Sequence, residues 1–84
     1  MTETETATAT EPVIVYSKPG CVQCHATYRA LAKEGIDYAV RDVSADPTAR
    51  ARVVELGYQQ LPVVETGTEH WGGFRPDMIA ALWA

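Results

Sequence analysis

Residues 13–24 read Val-Ile-Val-Tyr-Ser-Lys-Pro-Gly-Cys-Val-Gln-Cys, and this stretch decides the fold. Its first four residues are β-branched or aromatic, which predicts a buried strand. Residues 17–20 have turn chemistry and end that strand. A helix is then expected over 21–35, because Gly35 suits a C-terminal cap. The inward face of this helix follows from helical spacing and consists of Cys24, Tyr28 and Leu31.

The remaining elements follow from similar local patterns. Residues 38–43 predict a second strand, which completes a β-α-β unit with two parallel strands and a right-handed crossover. Asp46 and Pro47 are typical of a helix N-cap and first helical position, and Gly57 of the end of that helix. Residues 61–65 and 69–71 predict two further strands on either side of a turn. The last predicted helix contains Pro76, Asp77, Met78, Ile79, Leu82 and Trp83.

The order β-α-β-α-β-β-α predicts an α/β fold, in which a four-stranded mixed sheet is flanked by three helices. The order of the elements comes from the sequence patterns. The arrangement of the sheet is taken by analogy with thioredoxins and glutaredoxins, whose minimal architecture has this element order. With 84 residues the chain is expected to form one domain over residues 12–84. Residues 1–11 are rich in threonine and glutamate, and we expect them to be a disordered tail.

Charge and hydropathy exclude several classes of function. The formal charge is −4, but three glutamates lie in the first eleven residues, which leaves the remainder almost neutral. There is no basic stripe to suit a nucleic acid backbone, and no apolar run approaches the length of a membrane span. The N-terminus lacks the basic start and apolar middle of a secretion signal, so we expect a cytoplasmic protein.

Cys21 and Cys24 are the residues on which function depends. Two cysteines in a reducing compartment are seldom a structural staple, and such pairs are usually catalytic. Two intervening residues at a helix start place the sulfurs about one turn apart, close enough to bond. The helix N-terminus stabilises a thiolate on Cys21, and Lys18 adds positive potential. Cys21 is therefore the predicted nucleophile, and the more shielded Cys24 the predicted resolving thiol.

Three other interpretations of these cysteines need consideration. A zinc site needs four ligands, and His25 and His70 are the only further candidates, of which His25 would point elsewhere on the helix. Residues 21–25 also match the haem-attachment pattern, but covalent haem requires export and a larger pocket. An inert buried pair is the third alternative. Because the motif follows a strand in a β-α-β unit, dithiol chemistry is favoured, with no metal and no bound cofactor.

Leu61 and Pro62 form a second candidate segment. In the inferred fold this loop faces the cysteines, and a cis peptide bond there would expose backbone groups to a bound polypeptide. The alternative is an ordinary trans proline at the start of a strand.

A third candidate segment is the turn that contains Gly72 and Gly73. Two glycines allow positive φ or close approach of a partner. Trp71 and Phe74 could form an exposed apolar patch beside this turn, or they could simply be core residues. Arg75 is expected to be a brace, bound to neighbouring backbone or carboxylate.

Together these segments resemble the NrdH-redoxins, which are glutaredoxin-like proteins. The resemblance rests on residues 21–27, 60–64 and 73–79, and it spans about 13–83. It implies a dithiol carrier that is reduced by thioredoxin reductase at the expense of NADPH and that supplies class Ib ribonucleotide reductase. It also implies that Cys21 and Cys24 are the redox pair. The implied partner-facing residues are Lys18, Val22, Gln23, Leu61, Pro62, Trp71, Gly72, Gly73, Phe74 and Arg75.

One position departs from the family pattern. Gly72 stands where the family usually has serine, which predicts a looser turn and altered partner affinity. Three alternative functions remain open at this point: a glutathione-dependent glutaredoxin, an iron–sulfur or zinc scaffold, and a non-catalytic interaction module. No heptad pattern is present, and a carrier must release its partners, so we expect a monomer.

Overall fold

A computed structural model describes residues 13–82 of the chain. The described elements are β1 (Val13–Ser17), α1 (Val22–Lys33), β2 (Tyr38–Asp42), α2 (Pro47–Leu56), β3 (Val63–Glu65), β4 (His70–Gly72) and α3 (Pro76–Ala81). Their order is the predicted one. The predicted disordered tail over 1–11 and the predicted place of Trp83 on the last helix both lie outside the described residues.

The four strands form one mixed sheet in the order β2-β1-β3-β4. β1 and β2 are parallel, with Val15 opposite Val40, whereas β3 is antiparallel to both β1 and β4. The C-terminal end of β1 therefore meets the N-terminal end of β3 at one edge of the sheet. That edge carries the turn before α1 and the residues before β3, which places the first two candidate segments together.

Two apolar layers hold the helices on the sheet. α1 and α3 pack on one face, where Leu31 and Ile79 are buried against Val15 and Val64. α2 packs on the opposite face. Its inward residues there are Ala49 and Val53, and the sheet supplies Tyr16 and Val63.

The ends of the elements follow local chemistry, with small differences from the prediction. Asp46 caps α2 through its carboxylate, and Gly57 ends that helix at φ 89°. α1 begins at Val22 rather than at Cys21, because Cys21 has extended backbone and is itself the N-cap. β4 starts one residue later than predicted, because Glu69 is hydrogen-bonded to Thr66 in the preceding turn.

Candidate active site

Cys21 and Cys24 form a disulfide at the N-terminus of α1, with their Cα atoms 5.2 Å apart. Cys21 is the N-cap residue, and its sulfur accepts a hydrogen bond of 3.2 Å from the Cys24 N–H. Cys21 is 8% exposed and Cys24 only 1%. The Cys21 sulfur therefore lies at the positive end of the helix and accepts from one backbone donor. Both features stabilise a thiolate.

The segment before the disulfide is a turn. Lys18 and Pro19 are exposed there, and Gly20 has a φ of 78° that favours glycine. Ser17, at the end of β1, is buried, and its hydroxyl accepts a 2.7 Å hydrogen bond from the Tyr28 hydroxyl. This hydrogen bond joins the end of β1 to the second turn of α1, the two elements that flank the turn before Cys21. The sequence alone gave no signal for this contact.

The Leu61–Pro62 peptide bond is cis, as predicted. The Pro62 side chain is fully buried, and Leu61 is half-buried. The Pro62 carbonyl accepts a 2.7 Å hydrogen bond from the Gly73 N–H. This bond joins the proline loop to the glycine turn, which lies after β4.

A second hydrogen bond joins the glycine turn to the cysteine motif. Gln23 lies between the two cysteines, and its Oε1 atom accepts from the Phe74 N–H at 3.2 Å. Gly73, which donates the first of these two bonds, has a φ of 82°, which favours glycine. The three segments singled out in the sequence are therefore adjacent in space, and two consecutive backbone N–H groups of the turn connect them.

The structure corrects the prediction of an exposed patch that includes Trp71. Trp71 is only 4% exposed and belongs to the core between the sheet and the layer of α1 and α3. The cause is strand alternation: His70 faces solvent, so Trp71 faces the core. Phe74 is 37% exposed and Val22 81%, so these two side chains supply the apolar surface near the disulfide.

Gly72 is where the ring of Tyr58 packs. A Cβ atom placed on Gly72 would lie 2.9 Å from Tyr58 Cδ1 and 3.2 Å from Tyr58 Cε1. The Tyr58 hydroxyl is 2.7 Å from His70 Nδ1, and the two rings meet edge to face. The sequence prediction considered only the missing serine hydroxyl. The structure adds that an aromatic ring fills the space of the missing side chain.

Arg75 is a brace, as predicted. Its guanidinium donates two hydrogen bonds to Asp77, of 3.1 Å to Oδ1 and 2.9 Å to Oδ2. These bonds hold the pKa of the Asp77 carboxyl below its usual value and raise the pKa of Arg75. The pair lies at the start of α3, where Arg75 is the N-cap residue and the first helical residue, Pro76, has no N–H to donate.

The two histidines that a zinc site would need both have aromatic neighbours. His25 packs edge to face on Tyr28, and His70 does so on Tyr58. Within residues 13–82 no group of three or more histidine, cysteine or acidic side chains is arranged to hold a metal ion. No helix in the same range is long and apolar enough to cross a bilayer.

Comparisons with known proteins place these features in a family. The family model described as Glutaredoxin matches residues 13–71. The glutaredoxin-like protein NrdH of Escherichia coli K12 is 44% identical over 70 residues, which cover 83% of this chain and 86% of that protein. The NrdH protein of Lactococcus lactis subsp. cremoris is 31% identical over 70 residues, which cover 83% of this chain and 97% of that protein.

Solved structures give the same result. The NrdH-redoxin of Escherichia coli superimposes with a TM-score of 0.81 at 44% identity and covers 84% of this chain and 93% of its own. That protein is described as glutaredoxin-like with a thioredoxin-like activity profile. A glutaredoxin of Archaeoglobus fulgidus, at 22% identity, shares the fold with a TM-score of 0.71 and covers 98% of this chain and 96% of its own.

Proposed function

Since the chain belongs to the glutaredoxin family and is a redox carrier similar to the NrdH proteins, we propose that it moves electrons between two specific protein partners. In this proposal thioredoxin reductase, using NADPH, reduces the Cys21–Cys24 disulfide. The dithiol then reduces the disulfide of the large subunit of class Ib ribonucleotide reductase. The observation that carries the proposal is the disulfide at the start of α1, in which Cys21 is 8% exposed and Cys24 only 1%.

The proposed reaction has two steps that balance in atoms and electrons. The Cys21 thiolate attacks one sulfur of the substrate disulfide, which forms a mixed disulfide and releases one substrate thiolate. The Cys24 thiol then loses its proton and attacks the Cys21 sulfur, which closes the internal disulfide and releases the second substrate thiolate. Two electrons have passed to the substrate, whose thiolates take up protons. Thioredoxin reductase supplies a dithiol that runs the same steps in reverse.

The relative exposure of the two cysteine residues supports this assignment of roles. The Cys21 sulfur lies at the helix N-terminus, where the Cys24 N–H donates to it. Such donors stabilise a thiolate both as nucleophile and as leaving group, which serves both directions of exchange. Cys24, at 1% exposure, is shielded from solvent, which suits the resolving role. No cofactor bound by this chain is required, because the electrons arrive through the partner.

We place the docking surface around the disulfide. Val22 and Phe74 provide exposed apolar contact, and Lys18 and Arg75 lie exposed on the same group of segments. Leu61, the Gln23 side chain of α1 and the turn with Gly72 and Gly73 complete the surface, and the buried Pro62 and Trp71 support it from the core. We further propose a monomeric protein of the cytoplasm, where a reducible cysteine pair suits a reducing compartment.

The first test follows NADPH consumption. Thioredoxin reductase, this protein and oxidised class Ib ribonucleotide reductase are mixed, and absorbance at about 340 nm is recorded. We expect rapid oxidation of NADPH that depends on this protein. A parallel mixture contains glutathione and glutathione reductase in place of thioredoxin reductase. Turnover only in the second mixture would show a glutathione-dependent glutaredoxin and overturn the proposal.

A second test uses the cysteines themselves. Cys24→Ser is expected to accumulate a mixed disulfide with the partner, because nothing resolves it, and Cys21→Ser is expected to abolish reduction. Normal turnover by Cys24→Ser with a protein disulfide would contradict the two-thiol mechanism. Partner binding without redox activity in the wild-type protein would favour an interaction module, and metal in the purified protein would favour a scaffold.

A further inference from the structure

The side chain of Gln23 lies in the middle of the cysteine motif but makes its hydrogen bond elsewhere. Its Oε1 atom accepts from the Phe74 N–H at 3.2 Å, across 51 positions of the chain. A Cβ atom on Gly73 would lie 3.7 Å from the same oxygen, so the amide is in close contact with the turn. Long polar side chains on a helix surface usually extend into solvent, since ordering them costs conformational entropy.

The backbone of Gln23, whose side chain is the acceptor, is itself held in place within α1. The Gln23 carbonyl accepts a 3.0 Å hydrogen bond from the buried Thr27 hydroxyl, which fixes the backbone at Gln23 to the next turn of α1. On the other side, the Pro62 carbonyl binds the Gly73 N–H at 2.7 Å. The turn is thus tied at two successive residues, and the Gln23 side chain connects it to the cysteine motif.

We propose that Gln23 is a positioning residue, which holds the Gly73–Phe74 turn against the disulfide so that a protein partner meets a preformed surface. This inference rests on the proposed function. We call the hydrogen bond from the Phe74 N–H to Gln23 Oε1 the latch. If the latch were lost, the exposed Phe74 ring would be displaced, because the N–H of the same residue is the donor. Preformed loops bind more tightly because less ordering is required at association. Gln23 does not touch the reacting sulfurs in this role.

The latch predicts a particular kinetic effect. Loss of one hydrogen bond of ordinary net strength is expected to raise the KM for thioredoxin reductase about fivefold. The value of kcat should change less than about twofold, since the exchange chemistry at Cys21 and Cys24 is untouched. A general loss of folded protein would instead lower the apparent kcat and leave KM unchanged.

Four proteins give a matched comparison. Gln23→Met keeps the length of the side chain but removes the acceptor, and Gln23→Glu retains an acceptor oxygen. Gln59→Met makes the same exchange at an exposed glutamine that has no side-chain hydrogen bond within residues 13–82. We expect Gln23→Met to raise KM and Gln59→Met to leave it close to the wild-type value, while Gln23→Glu, which retains the acceptor, should keep hydrogen exchange of the Phe74 amide close to the wild-type rate.

A second measurement separates positioning from direct contact with the partner. In the free protein, hydrogen exchange of the Phe74 amide should be faster in Gln23→Met than in wild type and in Gln59→Met. In a Phe74→Ala background, Gln23→Met should add less than about twofold to KM, because the ring that the latch positions is gone. An additive effect there would show that Gln23 contacts the partner itself.

The outcomes for the latch and for the proposed function are distinct. An unchanged KM in Gln23→Met, or unchanged exchange at the Phe74 amide, would overturn the latch while the wild-type protein still carried electrons. Failure of the wild-type protein to accept electrons from thioredoxin reductase would overturn the proposed function. In that case the docking role of Gln23 would also be overturned, whatever the rate of hydrogen exchange at the Phe74 amide.

Discussion

Replacing Gly72 by serine, the residue usual in the NrdH-redoxin pattern, is expected to destabilise this particular chain. The new Cβ atom would lie 2.9 Å from Tyr58 Cδ1 and 3.3 Å from Gln60 Nε2. Carbon atoms in favourable contact are about 3.5–4.0 Å apart, so the Tyr58 ring must move. Movement of the ring breaks the 2.7 Å hydrogen bond between the Tyr58 hydroxyl and His70.

The size of the effect follows from these contacts. Overpacking typically costs about 1–3 kcal/mol, and a lost hydrogen bond about 0.5–1.5 kcal/mol. Tyr58 is half-buried and can swing toward solvent, which keeps the sum at the low end. We expect Gly72→Ser to reduce the free energy of unfolding by about 1–2 kcal/mol. Gly72→Ala should cost a similar amount, because the Cβ atom and not the hydroxyl makes the contact.

Urea unfolding of the oxidised protein, followed by tryptophan fluorescence, measures this effect. The critical comparison is made in a Tyr58→Ala background, where Gly72→Ser should cost less than about 0.5 kcal/mol because the ring is absent. An equal cost in both backgrounds would refute the reasoning, as would a Gly72→Ser protein with wild-type stability and Tyr58 intact. The slope of the unfolding free energy against urea should stay constant across the set.

Three further predictions concern stability and use the same unfolding assay. Asp46→Ala removes the carboxylate that caps α2 and should cost about 1 kcal/mol, and a neutral result would show that the cap is dispensable. Leu31→Ala empties a fully buried site under α1 and should cost about 2–5 kcal/mol, whereas a loss below about 1 kcal/mol would contradict its place in the core. Hydrogen bonds from Arg52 hold the pKa of Glu65 below its ordinary value of 4.5, so the stability that ionised Glu65 contributes is complete above pH 4.5 and is lost as pH falls through the lowered pKa. Glu65→Gln should therefore lose less stability than wild type as the pH falls from 5 to 3, and parallel curves would contradict this.

Elements with local signals could be predicted from the sequence. Asp46 followed by Pro47 predicted the start of α2, because the capping carboxylate and the fixed φ of proline act within a few residues. The cysteine pair at the start of α1 was likewise predictable, because turn residues precede it and apolar spacing follows it. The candidate site was recognised for the same reason, since each of its segments carries its own cysteine, proline or glycine.

Contacts between distant segments could not be predicted in this way. The bond from Phe74 to Gln23 depends on how α3 and α1 pack, and no pattern near either residue encodes that distance. The burial of Trp71 depends on strand register, where a shift of one residue reverses the face of every side chain. The contact between Tyr58 and Gly72 joins a loop to an edge strand, and the sequence provides no signal for it.

Reversible exchange at the two sulfurs is the central claim, and counting thiols tests it most directly. The reduced protein is mixed with oxidised class Ib ribonucleotide reductase in the absence of NADPH, quenched in acid, alkylated and weighed by mass spectrometry. The account predicts that Cys21 and Cys24 together lose the ability to be alkylated, because they have formed a disulfide. The partner should gain an equal number of alkylated thiols. Alkylation that stays complete on both cysteines, with no thiols gained by the partner, would contradict it.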